Sequence, residues 1–395
     1  GIKYSELMNY LKKYINIEMP LLVEKNCYDN ISYEIAYPED AFFSIKDDIS
    51  PELFEQFLNQ AKYVLSKKLL CSDLLKNGII RTLTFIATQN RQFQIKIDKF
   101  VCEILSEIKD IKSWEYISIY IDKLCEASPR AVLSRLEKGL NDNSEMIDLF
   151  KRNYCLGSGV QNYHHILWCA EKLLGLKELS ARAIRWLMEL FNCIDKGSSK
   201  DNLRSILLKI YCVWYNSTVL STNDILYLAE EGLRKYSFFW ELIFEELYCP
   251  PTTISNNQVF LYREDNTASI EQKGNNFQQK SGYYDLLISN INGNFKYWTK
   301  IIRLFPRITN IRLQTLLDKL KNDIELMDDI KREKLQYELR KIIYERRLYS
   351  CSQIDNQFIL KIGFVCKTIS FEDKVYEFLY LTRTKLFPIP FPTPH

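Results

Sequence analysis

Three histidines, His164, His165 and His395, are the only imidazoles in the chain, and any acid–base or metal chemistry that needs one must use them. His165 and Cys169 are spaced i, i+4, which puts both on one helix face, with Cys155 upstream and Cys193 downstream. Such ligands suit Zn²⁺. The spacing matches no zinc pattern, however, and Cys169 lies inside the apolar run 166–170, so a buried cysteine beside a helix-start histidine pair is the simpler reading. Cys155 with His164 is the only nucleophile–base pair close in sequence, and no Gly-rich oxyanion turn accompanies it. Gly157 and Gly159 have no Lys-Ser/Thr behind them, and the 197–200 segment, GSSK, has one glycine and no strand before it, so both read as turns rather than phosphate loops. Carboxylates such as Glu171, Glu241, Glu245 and Glu246 read as solvated helix faces, and none stands out as half of an acid–base pair. The expectation is a chain with no catalytic residues, no cofactor and no metal of its own.

A basic stretch is the remaining candidate. Residues 295–347 hold 14 Lys and Arg against 8 Asp and Glu. Arg340, Lys341, Arg346 and Arg347 crowd together there, with Trp298, Tyr337 and Tyr344 near them in sequence. Basic residues interleaved with aromatics can hold nucleic acid or an acidic protein face. Glu333, Glu338 and Glu345 at helical spacing dilute the charge, which favours a solvated, internally paired face. Arg340, Lys341, Tyr344, Arg346, Arg347 and Trp298 are the partner-binding residues that this stretch nominates.

The elements that would position these residues are helices. Of 395 residues only 12 are Gly and 11 Pro, too few for a turn-rich β fold, while 47% are hydrophobic, enough for a long core. A net charge of +3 argues against an obligate nucleic-acid binder. The longest apolar runs are far below the ~20 residues of a membrane span, and the first residues lack an apolar signal core. Eleven cysteines, odd in number and without a C-x-x-C pair, suit a reducing cytoplasm.

Apolar stripes at helical spacing predict helices over 4–15, from 51 through 64, and over 80–87, 95–108, 113–125, 130–140, 164–174, 180–193, 202–215, 224–234 and 237–248. Ser50-Pro51 and Ser128-Pro129 read as N-caps, and Ser221 with Asp224 has capping-box spacing. Short links between amphipathic helices predict antiparallel hairpins in series. The expected fold is all-α, an elongated α-solenoid of degenerate HEAT- or TPR-like repeats. Its expected parts are a helical array over 1–248, an irregular insertion over 249–282 with one short strand at 258–262, and further helices over 283–395 ending in an extended Pro-rich tail.

Several segments in order resemble a known family. They are LCEASPRAVL at 124–133 followed by Leu136 and Glu137, ILWCAE at 166–171, NLRSI at 202–206 with Trp214, and WELI at 240–243. The series is similar to the C-terminal helical sensor region of large bacterial STAND-type NTPases, a group that includes antiviral defence proteins. It departs from the family pattern at Asp201-Asn202-Leu203-Arg204, and is thin outside 124–247. The resemblance implies a cytoplasmic sensor that engages a foreign protein, such as a phage protein, and couples this to oligomerisation of upstream NTPase and effector domains of the same polypeptide. It also implies that the chain is a fragment, that Trp168 is core, that Glu171 or Arg204 joins a buried pair, and that the 249–282 insertion touches the ligand. The alternative is a stand-alone scaffold or nucleic-acid adaptor using the basic 295–347 surface, with no membrane partner in either case.

Overall fold

The computed structural model describes residues 22–27, 30–35, 50–66, 73–141, 145–151, 162–254, 258–261, 263, 277–349 and 353–369. Among them the chain is helical apart from one antiparallel hairpin. Its strands, β1 (Leu22–Cys27) and β2 (Asn30–Ile35), pair Leu22 with Ile35 and Cys27 with Asn30. This hairpin was not expected, although Ile31, Tyr33 and Ile35 alternate with polar residues, which is the strand period. The expected 4–15 helix and the Pro-rich tail lie outside the described residues.

The chain forms two compact units: residues 1–206, 217–220 and 255–270 make the first, and 207–216, 221–254 and 271–395 the second.

In the first unit, α1 (Pro51–Ser66) starts where Ser50 Oγ accepts the Leu53 N–H at 3.2 Å, and it buries Phe54, Leu58, Ala61 and Leu65 on one stripe. There follow α2 (Asp73–Gln89), a 3-10 turn (Arg91–Phe93), α3 (Gln94–Ser106), α4 (Ile111–Ala127), α5 (Pro129–Asn141), a short α6 (Glu145–Lys151), α7 (Tyr163–Leu173) and α8 (Lys177–Cys193). From α1 to α6, and again at α7 and α8, consecutive helices pack as neighbours, and helices two or, past the short α6, three apart also stack. One row runs α1 on α3, α3 on α5, α5 on α8; the other runs α2 on α4 and α4 on α7. The helix α9 (Ser198–Tyr211) begins after Gly197, whose φ of +115° suits a residue without Cβ.

In the second unit, α10 (Thr222–Lys235) opens on a complete capping box. Ser221 Oγ accepts the Asp224 N–H at 3.2 Å, and Asp224 Oδ2 accepts the Ser221 N–H at 3.1 Å, as the spacing predicted. The remaining helices are α11 (Ser237–Tyr248), α12 (Phe277–Ser289), α13 (Phe295–Ile301), a 3-10 turn (Ile302–Arg307), α14 (Asn310–Glu325), α15 (Asp329–Tyr349) and α16 (Gln353–Thr368). Packing pairs α10, α11 and α12 with one another, α13 with α15, and α14 and α15 with α16. Residues 258–261 form no strand. Val259 and Leu261 are exposed and only Phe260 is buried, so no sheet partner is there to satisfy a strand edge.

Two helical glycines differ in what surrounds them. At Gly232 a Cβ would lie 2.8 Å from the buried Phe239 ring, so α10 and α11 meet in space that a methyl group would fill, whereas at Gly78 nothing lies within 4 Å. Gly78→Ala is therefore expected to stabilise the chain by about 0.5–1 kcal/mol through helix propensity, and Gly232→Ala to destabilise it by about 1–3 kcal/mol through overpacking. Urea titrations of both variants check this, and equal shifts of the same sign would contradict it.

Candidate functional site

The most built feature of the first unit is the corner between α4 and α5. Pro129 starts α5 without an N–H to lose and holds Ser128 out of the helical region, at φ −145°, ψ 78°. The chain therefore turns sharply, and the polar groups at the turn are satisfied by other elements. Ser128 Oγ, expected as a helix cap, donates to Asp98 Oδ1 at 2.6 Å instead. Gln94 Nε2 donates to the same oxygen at 2.7 Å and to the Ala127 carbonyl at 3.0 Å. Arg263 arrives from a distant part of the sequence. Its backbone N–H donates to Glu126 Oε1 at 3.2 Å, its Nε to the Glu126 carbonyl at 3.2 Å, and its Nη2 to Gln94 Oε1 at 3.4 Å. Glu126, 2% exposed, thus has its buried carboxylate on the Arg263 backbone N–H and its carbonyl on the Arg263 guanidinium.

Beside this corner opens a cleft of about 420 Å³. Its floor is apolar, from Pro129, Leu176 and Leu179, and its walls carry four cations, Arg91, Arg130, Lys177 and Arg263, against two carboxylates, Asp98 and Glu178. Arg130 and Glu178 pair across the opening with both side chains about two-thirds exposed. The motif 124–133 thus supplies the corner and one wall. Gln94, Asp98, Glu178 and Arg263 were not singled out in the sequence. The i, i+4 spacing of Gln94 and Asp98 is a visible sign of a shared face, but a partner 137 residues away leaves none.

The residues nominated in the basic stretch do not form one surface. Trp298 is fully buried and donates from Nε1 to Asp323 Oδ2 at 2.8 Å; it is a core residue. Arg340 is 5% exposed, because it lies on the face of α15 that also buries Leu339 and Ile343. Tyr344 is half-buried and Lys341 exposed. Arg346 donates to the Pro306 carbonyl at 2.9 Å and lies over the Phe358 ring at 5.6 Å, while the Arg347 side chain lies outside the described residues. Much of the remaining charge is neutralised locally: Lys296 and Lys300 on Glu241 at 2.6 and 3.1 Å, Arg312 on Asp285 at 2.7 Å, Lys331 on Asp328 at 2.6 Å and Arg332 on Asp329 at 3.2 Å.

Cys169 is fully buried, with the Cys125 thiol on its carbonyl at 3.9 Å, and burial pushes its own thiol well up from the usual range. His165 is half-buried with its ring edge-on to Trp168 at 4.8 Å, and burial lowers its pKa. Among the described residues no three His, Cys, Asp or Glu side chains gather as a metal site would need. The 197–200 segment is a turn into α9, with the Lys200 ammonium on the Ile194 carbonyl and 4.6 Å over the Phe191 ring. Cys155, Gly157 and Gly159 lie outside the described residues. Trp168, expected in the core, is half-buried. Glu171 is buried and Arg204 half-buried, and the neighbour of Glu171 in sequence, Lys172 of α7, forms a largely buried ion pair with Asp122 of α4 at 3.7 Å. Comparison with protein-family models, with curated proteins and with solved structures gives no match.

Glu246 corrects the expectation of a solvated carboxylate. It falls on the buried stripe of α11 with Phe239 and Ile243 and is 2% exposed. Its Oε1 accepts the Val213 N–H at 2.9 Å, while Oε2 has no hydrogen-bond partner within the usual distance. Burial pushes its pKa up to about 7, against the opposing pull of the Val213 N–H and the neighbouring Cys212 thiol. An acid whose folded pKa is raised favours the folded state fully below its unfolded value near 4.5, and that stability is lost as pH rises through about 7. Wild type is therefore expected to lose on the order of 2–3 kcal/mol between pH 4.5 and 8 from this group. In Glu246→Gln that share of the pH dependence should vanish, as urea titrations at pH 5 and pH 8 would read. An identical pH slope in both proteins would contradict the assignment.

Proposed function

We propose that this chain is a recognition scaffold for a protein ligand, an α-solenoid whose chemistry, where the parent protein has any, belongs to other domains. The observation that carries this reading is the stacking of helices in two rows in the first unit, α1–α3–α5–α8 and α2–α4–α7, alternate up to the short α6 and skipping it and one other beyond. Helices stacked this way present repeated faces for a partner rather than one enclosed catalytic pocket. The ordered segments 124–133, 166–171, 202–206 and 240–243 support a narrower identity, the ligand-sensing part of a bacterial STAND-type NTPase in antiviral defence. Their buried members, Ala127, Leu133, Ile166, Leu203 and Trp240, act as helix-packing residues in it. The nucleic-acid alternative is weakened by the burial of Trp298 and Arg340 and by the carboxylates already seated on Lys296, Lys300, Arg312, Lys331 and Arg332.

The test uses the full-length protein that carries this chain, mixed with purified phage proteins and ATP and followed by sedimentation. One phage protein is expected to drive assembly, and a form lacking this chain should stay unassembled with it. Assembly that persists without the chain would overturn the proposal. So would a chain that binds none of the proteins and retards DNA or RNA with a steep salt dependence.

A further inference from the structure

We infer that the cleft beside the α4–α5 corner is the seat of an acidic segment of the protein ligand, with a carboxylate of that segment held between Arg130 and Lys177. The inference rests on the recognition-scaffold reading and adds to it the place and chemistry of one contact.

Charge is the first ground. Arg91, Arg130, Lys177 and Arg263 outnumber Asp98 and Glu178 around the opening, although the chain as a whole is close to neutral, at +3. Arg263 is itself tied to Glu126 and Gln94. Asp98 already accepts from Ser128 and Gln94 at 2.6 and 2.7 Å, so it is tied into the wall. The charges offered at the opening are therefore those of Arg130, Lys177 and Glu178. Glu178 is held only by an exposed pair with Arg130. Exposed pairs of this kind contribute little to stability and open readily. An incoming carboxylate can therefore take over the Arg130 guanidinium, whose planar fork fits two oxygens, while Glu178 swings into water.

The helix geometry points the same way. The first residues of three helices line the cleft: Gln94 of α3, Pro129 and Arg130 of α5, and Lys177, Glu178 and Leu179 of α8. The start of α8 adds partial positive charge, whereas α3 runs on from the 3-10 turn, whose Arg91 carbonyl takes the Gln94 N–H, and α5 begins with Pro129, which has no N–H. The apolar floor of Pro129, Leu176 and Leu179 lowers the local dielectric and strengthens the field of α8. A volume of about 420 Å³ admits a few side chains of a loop. It offers no extended track for a nucleic-acid backbone, nor an aromatic platform of the kind single strands stack on.

The probes are a fluorescein-labelled hexaglutamate peptide, a hexalysine peptide, tripolyphosphate and a dT12 oligonucleotide, each titrated into the full chain. Hexaglutamate is expected to bind and hexalysine not. Arg130→Ala and Lys177→Ala, both at exposed positions with circular dichroism as the folding check, should each weaken hexaglutamate about three- to tenfold. Hexaglutamate should also slow acetylation of Lys177 read by mass spectrometry, which needs no variant. The inference is overturned by hexaglutamate that does not bind, by binding that both substitutions leave unchanged, or by an unprotected Lys177. It is likewise overturned if dT12 or tripolyphosphate binds more tightly than hexaglutamate and is lost with the same substitutions. Assembly driven by a phage protein, with hexaglutamate ignored, would sink the cleft alone; failure of both would sink the scaffold reading as well.

Discussion

The burial of α4 on nearly every side is the constraint from which the first unit follows. Helices of this length are marginal in water alone and depend on packing. α4 packs on α2, α3, α5, α6 and α7, and Trp114, Ile117, Tyr120, Ile121, Leu124, Cys125 and Ala127 are all buried along it. Several of its polar groups are matched by other helices, although Asp122 Oδ1 is buried without a hydrogen-bond partner. The Tyr120 hydroxyl donates to Asp73 Oδ1 at 2.7 Å, the Lys123 carbonyl accepts from Thr84 at 3.4 Å, and Asp122 faces Lys172. Because α4 is fixed, the Ser128-Pro129 turn at its end is fixed, and with it the wall of the cleft. The functional reading therefore descends from core packing: Arg130 lies at the start of α5, which this corner sets, and Lys177 at the start of α8, which packs on α5.

The second unit is organised around aromatic rings. Tyr297, Trp240, Phe244 and Tyr248 stack in succession at 4.1, 5.5 and 5.4 Å, and Arg307 closes the end at 5.3 Å from Tyr248 while donating to the Leu247 carbonyl. Such contacts add to the area that the rings bury. Next to this apolar stack lies a polar pocket of the core. Tyr283 donates to the Tyr211 carbonyl at 2.9 Å, Gln279 donates to Tyr283 at 2.8 Å, and Glu246 holds the Val213 N–H where α9 has just ended. The carbonyls and N–H left over at the end of a helix are satisfied by side chains from α11 and α12, as a buried helix end requires.

Sequence periodicity was a sound guide to the helices and a poor one to their partners. The stripes at 95–108, 113–125, 180–193 and 237–248 correspond to α3, α4, α8 and α11, and the Ser50 and Ser221 caps are where their spacing placed them. These signals are local, so one sequence carries them. α6 is only seven residues long, too short to show a period, and it was missed. Helices were expected from 283 through 347 without boundaries, and the break near 326–328 has no proline or glycine to mark it. For the basic stretch, pairing within a helix was legible at i, i+3 and i, i+4 spacing, but the carboxylates that neutralise Lys296 and Arg312 belong to other helices and were not. Likewise the cleft was only half legible. Its corner lies in a recognisable motif, while Arg263 reaches it from an irregular segment whose sequence gives no hint of the contact.

The cleft proposed for recognition thus depends on α4 being the most firmly held element of the first unit. Hydrogen exchange of the native chain, read by mass spectrometry on peptides spanning α4 and the short peripheral α6, tests this most directly. The amides of α4 should exchange last, and only through unfolding of the unit, with α6 opening well before them. Exchange in α4 as fast as in α6 would contradict the account.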